Sequence, residues 1–103
     1  MTASGFLTVA PVIEGSMAEQ IARAVEALEE AGVAYETTPM GTLIEAEDAA
    51  ELFDAARAAH EAVDADRVET LLKIDDKRTT DEPMAAKVEA VEAALGREPR
   101  GGR

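Results

Sequence analysis

Residues Val33–Glu45 read VAYETTPMGTLIE, two β-like runs around a short break. Val33, Tyr35 and Thr37 share one parity, which is the period of a β-strand. Thr42-Leu43-Ile44-Glu45 opens a second strand, and only Pro39-Met40-Gly41 lies between the two runs. A link that short joins antiparallel neighbours, so the stretch predicts a hairpin.

Outward from the hairpin, each flank repeats one plan. On the N-terminal side, Gly32 supplies a left-handed stop to a helix that begins near Ser16. Met17, Ile21, Val25 and Leu28 give that helix one apolar stripe. Ser16 and Glu19 have the spacing of a capping box. Before it, Phe6–Val12 (FLTVAPV) reads as a strand with apolar residues on both parities, the pattern of a strand covered on both sides. On the C-terminal side, Asp48 caps a helix to about Ala62, with Leu52, Phe53, Ala56, Ala59 and Val63 facing inward. Arg67–Asp75 is a fourth strand. The run Asp75–Glu82 (DDKRTTDE) is a polar loop, and Pro83 opens a last helix with the stripe Met84, Val88, Val91 and Leu95.

The order is βαββαβ plus a terminal helix. Right-handed crossovers put both main helices on one face of a four-stranded antiparallel sheet. This is an α+β, ferredoxin-like sandwich with an extra C-terminal helix. Residues 1–96 form the single domain, and residues 97–103 form a disordered basic tail. The other sheet face is left open, with Leu71 and either Leu7 and Val9 or their parity mates upon it. A patch of that kind predicts self-association as a homodimer or homotetramer through the sheet face.

Composition narrows the function. The net charge is −12; the tail from Gly96 removes three basic residues and one acid, leaving 7 and 21 and a body of −14. With no basic stripe, nucleic acid is not an expected partner. So acidic a body, with lysine only at 73, 77 and 87, looks like that of a salt-loving microbe, where acidic surfaces keep proteins in solution. There is no cysteine, which excludes disulfides and thiolate chemistry and fits a cytoplasmic location. No apolar run is long enough to span a membrane, and Met1–Gly5 lacks the look of a signal peptide.

Few residues offer chemistry. Glu45 ends a strand of otherwise low polarity; it shares the core side if Leu43 does, and faces the open side if Ile44 is the core residue. Asp75 and Asp76 are paired acids, suited to a hard metal ion or to acid–base work, although Lys77 and Arg78 follow and can neutralise them. His60 is the sole histidine and reads as a partly buried helix residue rather than a metal ligand. Met17, Met40 and Met84 can pack the core or line a pliable pocket. Tyr35 is either a core residue with a satisfied hydroxyl or a stacking platform for a planar ligand. No phosphate-binding loop, nucleophile elbow or dinucleotide fingerprint is present, so neither an enzyme nor a bound cofactor is expected.

The hairpin Tyr35–Glu45 resembles the "YE…PMGT.IE" hairpin of small thiamine-binding proteins, single-domain relatives of the YkoF thiamine and hydroxymethylpyrimidine binder. Ala59-His60-Glu61-Ala62 is similar to a helix end of that family. Lys73–Arg78 (KIDDKR) resembles its "KIDDRR" strand end, with Lys77 where arginine is commoner, and Lys87–Val91 its last helix. The resemblance covers about Gly5–Leu95. It implies ferredoxin-like subunits joined through their sheets, and a pocket for thiamine or its pyrimidine part near a subunit interface. On that footing the expected ligand-binding residues are Thr42, Glu45, Tyr35, Met40 and Asp75. Glu45 would meet the aminopyrimidine, Thr42 would add a hydrogen bond, and apolar or aromatic residues would stack on the ring. The competing readings are a structural or regulatory oligomer with no ligand and, more remotely, an enzyme using Glu45 and Asp75.

Overall fold

The computed structural model describes residues 1–101, so the last two residues of the predicted basic tail lie outside it. Seven elements follow in order: β1 (Thr2–Pro11), α1 (Ala18–Ala31), β2 (Ala34–Thr38), β3 (Gly41–Ala46), α2 (Ala49–Ala62), β4 (Val68–Lys77) and α3 (Ala85–Leu95). The sheet runs β2-β3-β1-β4, antiparallel at every pairing. This is the ferredoxin-like arrangement that the βαββαβ order predicts.

Parity assigns the two faces. A side chain added at Gly5 would meet the Leu52 methyls at 3.2 Å, so the odd residues of β1 face α2. Ala3, Leu7 and Val9 therefore join Ile44 and Ala46 of β3 beneath Leu28 of α1 and Leu52, Ala55, Ala56 and Ala59 of α2. The alternative left open by the mixed apolar pattern of β1 is thus settled: Phe6, Thr8 and Ala10 occupy the open side. Ile44 is fully buried, which turns Leu43 and Glu45 to that open side as well.

Local chemistry explains most boundaries. Asp48 Oδ1 accepts the Glu51 amide at 2.8 Å and starts α2 as predicted. Gly32, at φ 78°, ends α1. Ser16 caps differently from the expected box: its hydroxyl accepts the Ala18 amide at 3.2 Å, and the helix begins after Met17. The inner stripe of α2 also needs correction. With Leu52 fully buried, Phe53 lies about 100° around the helix and is exposed, and Ala55 takes the inward place.

Two strands are longer than predicted. β1 begins at Thr2, where the polar Thr2 and Ser4 are buried in one of the two inner strands. β4 continues to Lys77, two residues into the presumed loop, because β1 pairs with it throughout. The Asp75–Glu82 run is therefore only partly a loop. α3 packs little of its surface. Val88, Val91 and Leu95 remain about half exposed, as does Leu71 on the open sheet face.

Candidate functional site

A cavity of about 300 Å³ lies between α1 and the sheet, at the end that carries the β2–β3 turn. Its floor is apolar and buried: Leu7, Val9, Ala24 and Leu28. Ile21 and Val25 form one wall. Met17, Pro39 and Met40 sit at its exposed mouth. Every lining residue is uncharged, and the polar groups are threonines. A mostly apolar pocket with a few placed polar groups is the usual form of a small-molecule site.

The hairpin places those threonines. Thr38 closes the two-residue turn: its hydroxyl donates to the Gly41 carbonyl at 2.7 Å and accepts the Met40 and Gly41 amides at 3.3 and 3.2 Å. Neither Pro39 nor Met40 has a positive φ, so this side-chain brace stands in for a primed turn. The register then sets Thr37 opposite Thr42 on the helix-facing side. Both line the cavity; Thr37 is exposed and Thr42 half-buried, and among the described residues neither hydroxyl has a hydrogen-bond partner, so both are open to water or to a ligand.

The five residues expected to bind ligand do not converge. Thr42 and Met40 line this cavity. Tyr35 faces the same side of the sheet but packs against the core; burial pushes its phenol up from the ordinary value, with the Glu29 carboxylate adding to the effect. Glu45 and Asp75 lie on the opposite face, each beside Ser4 of β1 in register. There they hold α3. The Glu45 carboxylate accepts the Met84 amide at the start of the helix, and Asp75 accepts from Lys87. The bond from Lys87 holds the Asp75 carboxyl below its ordinary value, against a smaller desolvation effect. Asp76 points to the other side of β4 and pairs with Arg78 at 2.9 Å, so the two adjacent acids do not make a joint site. His60 is exposed, its Nδ1 beside the Thr70 hydroxyl.

A second, wider cleft of about 650 Å³ lies at the other end of the sheet, with Glu45, Glu47, Asp48, Glu51 and Asp81 around it. It is largely polar and open, and Glu45 and Asp48 are already engaged as helix caps. The more enclosed, apolar cavity is the better candidate. Sequence reasoning missed Thr37 and the floor residues Leu7 and Val9. The signal for Thr37 was available: a two-residue turn at Pro39-Met40 pairs 38 with 41, and so 37 with 42.

Comparisons with known proteins agree with this architecture. The family profile described as "Thiamine-binding protein" matches residues 6–92. The UPF0045 protein of Methanothermobacter thermautotrophicus is 50% identical over 94 residues, covering 86% of this chain and 95% of that protein. Among solved structures, a hypothetical protein of Methanocaldococcus jannaschii is similar with a TM-score of 0.79 and 29% identity, over 87% of this chain and 95% of its own. A Thermotoga maritima protein, described as a candidate for thiamine biosynthesis or salvage, gives a TM-score of 0.76 and 28% identity, over 88% and 99%.

Proposed function

The chain belongs to the thiamine-binding protein family, and from that premise we propose that it binds thiamine or its hydroxymethylpyrimidine part in the cavity beneath α1. The observation that carries this reading is the cavity itself: floored by buried apolar residues, lined by uncharged side chains, and furnished with the hydroxyls of Thr37 and Thr42, which make no hydrogen bond among the described residues. Its volume sits at the small end of ligand pockets, about 300–1,000 Å³, which suits one aromatic ring more than a long molecule. The sulfurs of Met17 and Met40 at the mouth give a pliable, polarisable rim for such a ring.

The role is binding rather than catalysis. The cavity holds no general acid, base or nucleophile beyond threonine hydroxyls that have no base beside them. The protein acts in the cytoplasm as a homo-oligomer. The half-exposed Val88, Val91 and Leu95 of α3, together with Leu71, support assembly through the open sheet face and its terminal helix. No helix among the described residues is long and apolar enough to cross a membrane.

Titration calorimetry with thiamine and with hydroxymethylpyrimidine, in high salt, tests the reading. Saturable binding is expected. Thr42→Val should weaken it by about two- to tenfold, the worth of one hydrogen bond, without loss of thermal stability. Glu45→Gln should leave it within experimental error. Absence of heat and of any thermal shift at about millimolar ligand rejects the proposal.

A further inference from the structure

β1 is longer than its neighbour β3, and the mismatch falls at the cavity. The β1–β3 ladder ends with Leu7 opposite Thr42, whereas β1 remains paired with β4 as far as Pro11 opposite Val68. The direction of each backbone group beyond that end follows from one bond. The Val12 amide donates to the Arg67 carbonyl at 2.8 Å, in continuation of the same β1–β4 register. In an antiparallel ladder a residue sends its N–H and C=O to the same side, and successive residues alternate. Ala10 and Thr8 therefore bond towards β4, and Leu7 and Val9 direct both groups towards β3.

Leu7 finds Thr42 there. Val9 would be matched with Met40 by the same register, but Met40 belongs to the turn and its amide is taken by the Thr38 hydroxyl. Among the described residues Val9 has no hydrogen-bond partner on that side from strand, turn or side chain. Yet Val9 is only 6% exposed and forms part of the cavity floor. Buried backbone groups are almost always paired, and this one is aimed at the space where a ligand would sit.

We infer that the Val9 backbone is the polar recognition element of the cavity, reading a donor beside an acceptor on the edge of a planar heterocycle. This rests on the proposed binding of a pyrimidine in the same cavity. A 4-aminopyrimidine presents the required pattern: its exocyclic amine donates to the Val9 carbonyl, and the adjacent ring nitrogen accepts from the Val9 amide. The ligand thus takes the place of the missing residue of β3, while Thr37 and Thr42 reach its substituents. Specificity then resides in the main chain, where side-chain substitution has little direct hold.

The test uses the whole protein with 4-amino-5-hydroxymethyl-2-methylpyrimidine and its analogue lacking the 4-amino group. The aminopyrimidine is expected to shift the Val9 amide resonance and slow its hydrogen exchange at least tenfold. The deamino analogue should bind at least tenfold more weakly. Equal affinity of the two, or aminopyrimidine binding that leaves the Val9 amide unmoved, overturns the backbone assignment and leaves binding intact. Failure of both pyrimidines and of thiamine to bind overturns the assignment together with the reading beneath it.

Discussion

Gly41 carries more of the hairpin than its size suggests. A Cβ at this position would lie 2.6 Å from Phe6 Cζ and 2.9 Å from Thr8 Cγ2, both on the open sheet face. Its backbone also accepts and donates to Thr38, so the residue can retreat from the ring only by loosening the turn. Gly41→Ala is expected to destabilise the fold by about 1–3 kcal/mol in urea denaturation, the usual cost of overpacking. It should also weaken ligand binding, because the turn forms the cavity mouth. Some single residues were legible in the sequence alone. Asp48 is a cap by type and place, and Gly32 a stop. Glu45 was not, because Leu43 and Ile44 are adjacent and comparably apolar; the packing of Ile44 under the helices chose between them. Nor could the sequence show that Glu45 caps a helix 39 residues downstream.

At the level of elements, α3 is the least committed part of the chain. Its apolar side chains stay half exposed, and among the described residues polar contacts tie it to the sheet, from Met84 to Glu45 and from Lys87 to Asp75. Asp75 is held below its ordinary value, about 3.9, by the bond from Lys87. A lowered carboxyl contributes its stabilisation in full above the ordinary value and loses it as pH falls through the lowered one. Amide exchange in α3 should therefore accelerate below about pH 4 relative to α2, once intrinsic rates are removed. In Lys87→Ala exchange should already be faster at neutral pH, with a flatter acid response. Equal acid responses in the two proteins would show that Asp75 does not fasten the helix. The stripe of α3 was readable from its spacing, but what it covers was not. Periodicity reports that a face is apolar, not that the same chain supplies its partner.

Across the whole molecule, the acidic surface and the neutral cavity act in one direction. The net charge of −12 repels anions, and no cationic residue lines the cavity to compensate. Thiamine diphosphate should accordingly bind at least tenfold more weakly than thiamine at low salt. The gap should narrow as salt screens the surface field. Calorimetry at two ionic strengths measures both effects, and equal affinities at low salt would contradict them. The fold at this scale was fully legible, since the hairpin between two helices fixes the βαββαβ order. The cavity was not. It lies where β1 outruns β3, a difference in length that emerges only when the register of three strands is known together.

The strand order also governs how this sheet can grow. β4 is an outer strand, ten residues long, with one rim of amides and carbonyls unpaired. Such a rim could template endless side-by-side addition. Beside it, on the open face, Glu69, Lys73, Asp75 and Lys77 recur at nearly every second position, interrupted by Leu71. A copy sliding in alongside would have to bring its own charges into register and strip their water. Open-ended polymerisation is thereby discouraged at the rim, and an assembly that closes on itself through the same face must seat these charges at its margin.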